Sequence, residues 1–308
     1  MKIRVGTRGS KLALHQTRQV IELIRKQQPD AEIEEVIVKT LGDKVTDLPL
    51  FKVGGQGLFI KEIEQALLDG RIDIAVHSLK DVPHQVAEGL ELIDFGLPQD
   101  ARDCFLSFKY KNLKTLPPGS LVGTSSLRRR SQLAQMRPDL KFSDFRGNLD
   151  TRLQKLEQGE VDAIILAAAG LLRFDQAERI GEFFAVDQLT PPAGQGIIAV
   201  ECRSHDHQAL APVFKSFHDR NSCIRALCER AFLCEIQGGC QTPMAAHATI
   251  SGAKINLHSF IGSADGSRTI RRIDSGPIDE PEKLGIRAAM ALIDAGGLEL
   301  LVKPKEEK

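Results

Sequence analysis

The chain is poor in aromatic residues, with no tryptophan and one tyrosine among 308 residues. Proteins that bind single-stranded nucleic acid stack the bases on aromatic side chains, so this scarcity argues against such a function. No apolar run reaches membrane-spanning length, and the start, MKIRVGTRGSKLALHQ, lacks the apolar stretch of a signal peptide. We therefore expect a cytoplasmic protein without a membrane partner.

A net charge of one sign is also missing, because 41 lysines and arginines balance 41 aspartates and glutamates. The overall basic charge typical of nucleic-acid-binding proteins is therefore absent, although a local cluster of one sign is still compatible with the composition.

Six cysteines in a chain of this length do not indicate a disulfide scaffold, and the cytosol would keep them reduced. No CxxC pair occurs, so a structural zinc site is not indicated either. Cys223, Cys228 and Cys234 follow the apolar stripe of a predicted helix, which predicts small core residues. Cys240 lies beyond that helix in the stretch EIQGGCQTP, directly after two glycines. A thiol on such a loop could be a nucleophile, a spare thiol or a covalent anchor, and the residues leave these alternatives open.

Strands and helices alternate through the first two thirds of the chain, and the pattern occurs twice. VGTRGSKLALHQ and VGTSSLRRRSQL each read as strand, turn and helix, and LLDGRIDIAVHSL and LEQGEVDAIILAAAGL each read as helix, glycine and strand. This repeat predicts two similar α/β lobes with largely parallel sheets, a cleft and a hinge, a pattern similar to that of periplasmic binding proteins.

The last part of the chain differs, because a long helix at about 219–236 precedes alternating strands and a final helix. We predict α/β domain 1 at 1–97 and 197–216, α/β domain 2 at 98–196, and a small α+β domain 3 at 217–308 that carries the Cys240 loop. The stretch 40–57 has weak periodicity and several glycines, and we predict a lid over the cleft there.

Three predicted strand-to-helix junctions combine short hydroxyl side chains with arginines. They are Thr7 to Ser10, Thr124 to Arg130, and Arg146 to Arg152. Helix N-termini, hydroxyls and guanidinium groups together bind carboxylate or phosphate. One such junction alone would be a helix cap with surface arginines, but three at one side of the fold favour a polyanionic ligand.

The stretch HSLKDVP, residues 77–83, follows a buried strand and contains Asp81. In one interpretation Asp81 caps local backbone N–H groups in a turn. In the other, its carboxylate points into an arginine-lined cleft, where it can stabilise a developing cation or pass a proton. The stretch CRSHDH, with Cys202, His205 and His207, is interpreted as a solvated loop rather than a metal site.

Seven motifs occur in a specific order: HSLKDVP, VGTSSLRRR, RGN…TRL, DAIILAAAGL, PPAGQG, ER in the helix before the cysteine, and GGCQTP. Together they closely resemble the porphobilinogen deaminase family, from about Ile3 to the end of the third domain. The resemblance implies a transferase that condenses four porphobilinogen molecules head to tail, with loss of ammonia. The linear tetrapyrrole hydroxymethylbilane is then released, for porphyrin and haem biosynthesis.

The resemblance also implies a dipyrromethane cofactor that is attached covalently to Cys240, and it implies Asp81 as the catalytic carboxylate. Further cofactor-binding residues implied in this way are Ser78, Lys80, Thr124, Ser126, Arg128, Arg129, Arg146 and Gly147. The implied substrate-binding residues are Arg8, Ser10, Phe59, Arg152 and Gln195. Each pyrrole carries two carboxylates, which suits the arginines, and we expect a monomer with no metal and no nucleic-acid partner.

One position departs from the family pattern, because Gln56 in KVGGQGLF stands where the family commonly has lysine. We expect weaker binding of the longer intermediates, with Lys52 still present. Two other functions compete with this interpretation. One is a two-lobed anion-binding protein without catalysis, and the other is a nucleic-acid binder that uses Arg128 to Arg130.

Overall fold

The computed structural model describes residues 1–41, 60–238 and 242–301. The predicted lid at 40–57, with Lys52 and Gln56, lies almost entirely outside this part of the chain, as do Phe59 and Cys240. Within the described residues, no helix is both long enough and apolar enough to span a membrane.

The elements are numbered in chain order. The strands are β1 Lys2–Thr7, β2 Glu32–Ile37, β3 Ile74–Ser78, β4 Leu90–Gly96, β5 Asp103–Leu106, β6 Leu121–Gly123, β7 Lys141–Ser143, β8 Ala163–Ala167, β9 Glu182–Phe183, β10 Ile198–Arg203, β11 Met244–Ser251, β12 Lys254–Gly262 and β13 Thr269–Pro277. The α-helices are α1 Lys11–Gln27, α2 Lys61–Leu68, α3 Leu127–Met136, α4 Leu149–Glu157, α5 Ala168–Leu172, α6 His207–Leu210, α7 Arg220–Ile236, α8 Pro281–Asp294 and α9 Gly297–Leu301.

Two five-stranded sheets share one topology. The strand order is β2-β1-β3-β10-β4 in lobe 1 and β7-β6-β8-β5-β9 in lobe 2. In lobe 1, β1 pairs in parallel with β2 and β3, and β10 is antiparallel to β3 and β4. In lobe 2, β6 pairs in parallel with β7 and β8, and β5 is antiparallel to β8 and β9. Each sheet is therefore mixed: four of its five strands run in one direction, as the repeated sequence pattern predicts, and β10 or β5 runs against them.

The helix α1 shows why these elements form. The Ser10 hydroxyl oxygen accepts a hydrogen bond from the Ala13 N–H at 3.3 Å and so caps the first turn. Val20 and Ile24 are fully buried on one face of the helix, in one apolar cluster with Val5 of β1. Each such side chain contributes about 1.5–3 kcal/mol when it leaves water, which holds the helix against its sheet.

The antiparallel strand of each sheet marks the place where the chain changes lobe, since β5 follows β4 and β10 follows β9. Two segments of the chain cross between the lobes, one between β4 and β5 and one between β9 and β10. Arg173, just past α5 in lobe 2, binds both of these crossing segments. Its Nη2 donates to the carbonyl oxygens of Leu97 at 2.9 Å and Gly196 at 3.4 Å. Its Nη1 donates to Gln19 Oε1 of lobe 1 at 3.2 Å. The crossing segments are thus held side by side at the predicted hinge.

The third domain is a three-stranded antiparallel sheet, in the order β11-β12-β13, with α7 and α8 packed together beside it. A Cβ added at Gly285 would lie 2.2 Å from the Cys228 carbonyl oxygen, so glycine allows the two helices to approach closely. The domain also contacts lobe 2, where Arg271 of β13 donates to the carbonyl oxygen of Gln188 at 3.1 Å.

The predicted fold class, two similar α/β lobes and a small α+β domain, is confirmed. The strand membership of the sheets supports the boundaries 1–97 with 197–216, 98–196 and 217–308, which stay a prediction. One predicted strand was too long, because in DAIILAAAGL β8 ends at Ala167 and α5 begins at Ala168. Ala167 is the last residue of β8 that pairs with β5, and the alanines beyond it favour a helix.

The prediction that Cys234 is a core residue was wrong. Cys228, Phe232 and Ile236 form the buried stripe of α7, spaced four residues apart, and Cys234 falls on the other side of the helix. Its thiol is exposed and donates a hydrogen bond to the carbonyl oxygen of His84 at 3.3 Å.

Candidate active site

Asp81 ends a short 3-10 helix, Leu79–Asp81, that directly follows β3. The turn is anchored by Leu79 and Val82, which are both buried. A Cβ added at Gly194 would lie 2.9 Å from the Lys80 backbone nitrogen, and Gly194 has a φ of +75°. Only glycine therefore lets the PPAGQG segment pack against this turn. In the described part of the chain, no group donates a hydrogen bond to the Asp81 carboxylate.

The Lys80 ammonium lies at the meeting point of the two lobes. Its Nζ donates to Gln195 Oε1 at 3.2 Å, and Gln195 Nε2 donates to Asp103 Oδ1 at 3.1 Å and to the Ala101 carbonyl oxygen at 2.6 Å. Burial lowers the pKa of Lys80, and Arg129 and Arg128 also lower it, while Asp81 and Asp103 oppose the shift. Lobe 1 and lobe 2 thus share one charged network through a buried glutamine.

Asp103, at the start of β5, pairs with both buried arginines of α3. Its Oδ2 lies 2.7 Å from Arg128 Nη2, and its Oδ1 accepts from Arg129 Nη2 at 2.8 Å and Nε at 3.2 Å. Burial alone would raise the pKa of the Asp103 carboxyl, but the two guanidinium groups outweigh burial and hold that pKa well below its usual range. Asp103 was not among the predicted site residues, and an aspartate directly before the apolar run CFL is the signal that could have revealed it.

Arg128 and Arg129 also bind backbone oxygens. Arg128 Nη1 donates to the Thr190 carbonyl oxygen at 2.7 Å, and Arg129 Nη1 donates to that of Ile165 at 3.0 Å. Arg130 is exposed on the other side of α3. The stretch Arg128 to Arg130 therefore does not form one exposed basic patch.

Arg146 and Arg152 lie beside Arg129 at the end of β7. Burial lowers the pKa of Arg152 to about 10, the charges of Arg129 and Arg146 lower it as well, and the Asp81 carboxylate opposes them. Arg152 Nε donates to the Gly147 carbonyl oxygen at 2.9 Å. Arg146 Nη1 is buried and has no hydrogen-bond partner in the described part of the chain. Arg152 thus lies close enough to Arg129, Arg146 and Asp81 for their charges to act on it, while Arg129 is already paired with Asp103.

The predicted hydroxyl and glycine positions have local structural roles. Thr124 Oγ1 accepts from the Ser126 N–H at 3.3 Å, and Ser126 Oγ accepts from the Arg129 N–H at 3.4 Å as the N-cap of α3. Ser78 exchanges hydrogen bonds with the Gln16 amide at 3.0 and 3.1 Å. Gly147 has a φ of +122°, a conformation that other residues rarely adopt.

Ser10 and Arg8 lie at the end of β1, next to the end of β3 where Asp81 is found. Arg8 is half-buried. The carboxyl ends of parallel neighbours meet at one sheet edge, so the fold brings Arg8, Ser10 and Asp81 to the same edge of lobe 1. Of the predicted site residues, Phe59 and Cys240 lie outside the described part of the chain.

The helix α7 supplies two further residues, Glu229 and Arg230 of the ER motif, whose contacts the motif itself does not predict. Arg230 donates to the carbonyl oxygens of Pro83 at 3.1 Å and His84 at 2.9 Å, in the turn that follows Asp81. Glu229 is fully buried and accepts from the Gly194 N–H at 2.6 Å and the Ala248 N–H at 2.9 Å. The third domain therefore holds both the Asp81 turn and the PPAGQG segment in place.

Comparison with solved structures finds a lipoprotein and a periplasmic substrate-binding protein. Immunogenic lipoprotein A from Vibrio vulnificus aligns with 73% of this chain and 98% of its own, at 12% identity and a TM-score of 0.46. A periplasmic substrate-binding protein of an ABC transporter from Coxiella burnetii aligns with 73% and 95%, at 14% identity and a TM-score of 0.45.

Two family models cover most of the chain. The model described as porphobilinogen deaminase, dipyromethane cofactor binding domain, matches residues 3–211, and the porphobilinogen deaminase C-terminal domain matches residues 223–294. The porphobilinogen deaminase of Geobacter sulfurreducens is 45% identical over 302 residues, which are 98% of this chain and 94% of that protein. The chain belongs to the porphobilinogen deaminase family.

Proposed function

We propose that the cleft between the lobes binds the carboxylates of a growing pyrrole chain and that Asp81 is its catalytic carboxylate. The family establishes the reaction: the chain is a transferase, a hydroxymethylbilane synthase that polymerises porphobilinogen in tetrapyrrole biosynthesis, with a domain for a dipyrromethane cofactor. The observation that carries the proposal for the site is Arg146 Nη1, a buried donor without a hydrogen-bond partner among the described residues. Burial and the charges of Arg129 and Arg146 lower the pKa of Arg152, and the Asp81 carboxylate opposes them.

The residues of the cleft fit a dipyrromethane. Its acetate and propionate groups need cationic partners, and Arg146 Nη1 is a buried donor without a hydrogen-bond partner among the described residues. We propose that Arg146 and Arg152 bind these carboxylates directly. Arg128, Arg129 and Lys80 supply positive charge from a network held by Asp103, with Ser78, Thr124, Ser126 and Gly147 at its edge.

The same cleft accounts for substrate binding in this proposal. Arg8 and Ser10 reach it from lobe 1, and Gln195 reaches it from the crossing segment. Arg152 adds a guanidinium group from lobe 2. Phe59, which lies outside the described residues, stays a predicted substrate-binding residue.

The chemistry assigned to Asp81 follows from its position. When the C–N bond of porphobilinogen breaks, the electron pair leaves with ammonia and the pyrrole becomes a cation. A carboxylate without competing hydrogen bonds can accept the pyrrole N–H and stabilise that cation more than the neutral substrate. The stiff turn between Leu79 and Val82 keeps the carboxylate in position. When bound, the cofactor supplies the primer to which pyrroles are added.

The two competing functions receive less support. An anion-binding protein without catalysis gives no role to the Asp81 carboxylate near the arginines that would bind the anion. A nucleic-acid binder needs an exposed basic stretch, and Arg128 and Arg129 are buried against Asp103. We propose a monomer that acts on small molecules only.

The experiment that tests the anchor is intact-protein mass spectrometry. We expect a mass above the sequence mass by one dipyrromethane, and tryptic mapping should place it on the peptide with Cys240. Cys240→Ser should lose the added mass, and Cys234→Ser, a change at an exposed cysteine, should keep it. An active enzyme without added mass, or modification at Cys234, would contradict the proposal.

A further inference from the structure

Three potential metal ligands meet at the junction of lobe 1 and the third domain, away from the cleft. Asp94 lies on β4, His218 lies in the segment before α7, and Cys223 lies in the first turn of α7. Asp94 Oδ1 is 2.9 Å from His218 Nδ1 and 3.6 Å from Cys223 Sγ, and His218 Nδ1 is 3.6 Å from that sulfur. The three ligand atoms therefore form a closed triangle.

These distances match a zinc site. Tetrahedral zinc has bonds of about 2.3 Å to sulfur and about 2.0 Å to nitrogen or oxygen, so its sulfur lies about 3.5 Å from each of the lighter ligand atoms and these lie about 3.3 Å apart. The two distances from Cys223 Sγ, 3.6 Å each, already match the expected value. The distance between Asp94 Oδ1 and His218 Nδ1, 2.9 Å, needs to increase by only a few tenths of an ångström. Thiolate, imidazole and carboxylate together favour Zn²⁺ over Mg²⁺ or Ca²⁺.

The surroundings hold the ligands in place. Asp94 Oδ1 accepts a hydrogen bond from the Phe95 N–H at 2.7 Å, which orients the carboxylate as outer partners do in metal sites. The Asp94 side chain is 12% exposed and that of His218 is 51% exposed, so an ion can enter from the His218 side. A Cβ at Gly96 would lie 2.0 Å from the Phe217 carbonyl oxygen, so glycine brings the His218 segment against β4.

A nucleophilic thiol is the competing interpretation, and the geometry disfavours it. In a Cys–His–Asp arrangement the carboxylate binds one imidazole nitrogen and the other nitrogen faces the sulfur. Here Asp94 and Cys223 both face the same nitrogen, His218 Nδ1. That arrangement suits one ion bound by all three groups.

We propose that Asp94, His218 and Cys223 bind one Zn²⁺ ion, with water in the fourth position, and that the ion ties the third domain to lobe 1. The Cys223 thiol loses its proton to solvent on binding, and neutral His218 binds through Nδ1. The spacing of ligands in the sequence does not reveal this site, because Asp94 comes from a strand far from the other two residues.

The first test titrates ZnCl₂ into the purified, chelator-treated enzyme and follows binding by calorimetry. We expect one Zn²⁺ per chain for the wild type and for Cys234→Ser. Loss of an outer partner of a zinc ligand costs about 10–100-fold in affinity, so Cys223→Ser, which loses a ligand, should weaken binding by at least about 100-fold. CoCl₂ in place of zinc should give a thiolate charge-transfer band that Cys223→Ser lacks. A wild type that binds no zinc, or equal affinity in Cys223→Ser, would overturn the proposal.

The second test uses the wild type alone and so does not depend on how a variant folds. Iodoacetamide labelling with peptide mapping compares Cys223, which is partly buried, with the exposed Cys234. We expect ZnCl₂ to slow labelling of Cys223 and to leave the rate at Cys234 unchanged. Equal rates at Cys223 with and without zinc would also overturn the proposal.

Discussion

Asp103 is the residue on which the arginine network of the cleft depends. It is fully buried, forms ion pairs with Arg128 and Arg129, and accepts a hydrogen bond from Gln195 Nε2. These contacts hold both guanidinium groups in position. A buried carboxylate with two cationic partners is strongly coupled to them, so removal of its charge leaves uncompensated positive charge in the interior.

We therefore expect Asp103→Asn to lower the free energy of unfolding by about 3–5 kcal/mol at pH 7. The pKa of Asp103 is depressed in the folded state, so its contribution is present above the unfolded pKa of about 3.9 and is lost as pH falls through the folded pKa. Urea unfolding at pH 7 and near pH 3 should show that the gap between wild type and variant shrinks in acid. Asp144→Asn, at an exposed aspartate, is the control. A gap that widens in acid would refute this role for Asp103.

Asp81 can be a catalytic carboxylate or a turn-capping residue, and these two roles predict opposite orders of activity for its Glu and Asn variants. As a catalytic carboxylate, Asp81→Glu should retain weak turnover, because it keeps the charge, whereas Asp81→Asn should lose about 100-fold or more. If Asp81 instead caps the turn, Asp81→Asn should retain more activity than Asp81→Glu, because asparagine also caps turns. We expect the catalytic order with nearly unchanged melting temperatures, measured by product formation and thermal unfolding. Near-normal turnover in Asp81→Asn would place the catalytic carboxylate elsewhere.

At the scale of elements, α7 links the third domain to the chemistry of the cleft. Its buried stripe fixes the helix in the domain core, and Arg230 and the buried Glu229 form hydrogen bonds with two segments of the lobes. Because Arg230 donates to the carbonyl oxygens of Pro83 and His84, just after Asp81, the position of the carboxylate depends on a helix from another domain.

We expect Arg230→Met to reduce turnover by about ten-fold or more, because a shift of about 1 Å in a reacting group can cost about 100-fold. The KM should change less, since Arg146 and Arg152 bind the carboxylates in our proposal. Steady-state kinetics measure both values. Arg220→Met, at an exposed arginine in the first turn of the same helix, should behave as the wild type. Unchanged turnover in Arg230→Met would show that the turn holds its shape without this contact.

At the scale of the whole molecule, two of the contacts between the lobes differ in burial. Arg173 bridges the crossing segments at the hinge, where burial lowers its pKa to about 10. Lys11 of α1 pairs with Asp150 of α4 at 2.5 Å, and both side chains are largely exposed. The buried contact should therefore stabilise the pair of lobes far more than the exposed one.

We expect Arg173→Met to lower the free energy of unfolding by about 1.5–3 kcal/mol or more, the value of one hydrogen bond from a charged donor. Lys11→Ala should change it by less than about 1 kcal/mol, because exposed ion pairs contribute little. Urea unfolding of both variants measures the difference. Equal effects would mean that the crossing segments keep their alignment without the guanidinium group.

The sequence by itself determined the elements and their repetition. Apolar periodicity, caps such as Ser10 and Ser126, and glycines at turns are local signals, so two α/β lobes and a separate α+β domain could be predicted. The order of the motifs also indicated the family, and with it Asp81 and Cys240 as the residues to test. The end of β8 was missed, because only the partner strand decides where pairing stops.

Only the tertiary structure decided which charges meet. Asp103 and Arg129 are 26 residues apart, and Arg230 lies 147 residues from Pro83, so no local pattern links them. The same holds for Asp94 and His218, which are 124 residues apart. Burial and pairing of charges depend on long-range packing, whereas helix and strand formation depends on neighbours in the chain. That difference is the physical reason why the fold and the motifs could be predicted, but the network that holds them could not.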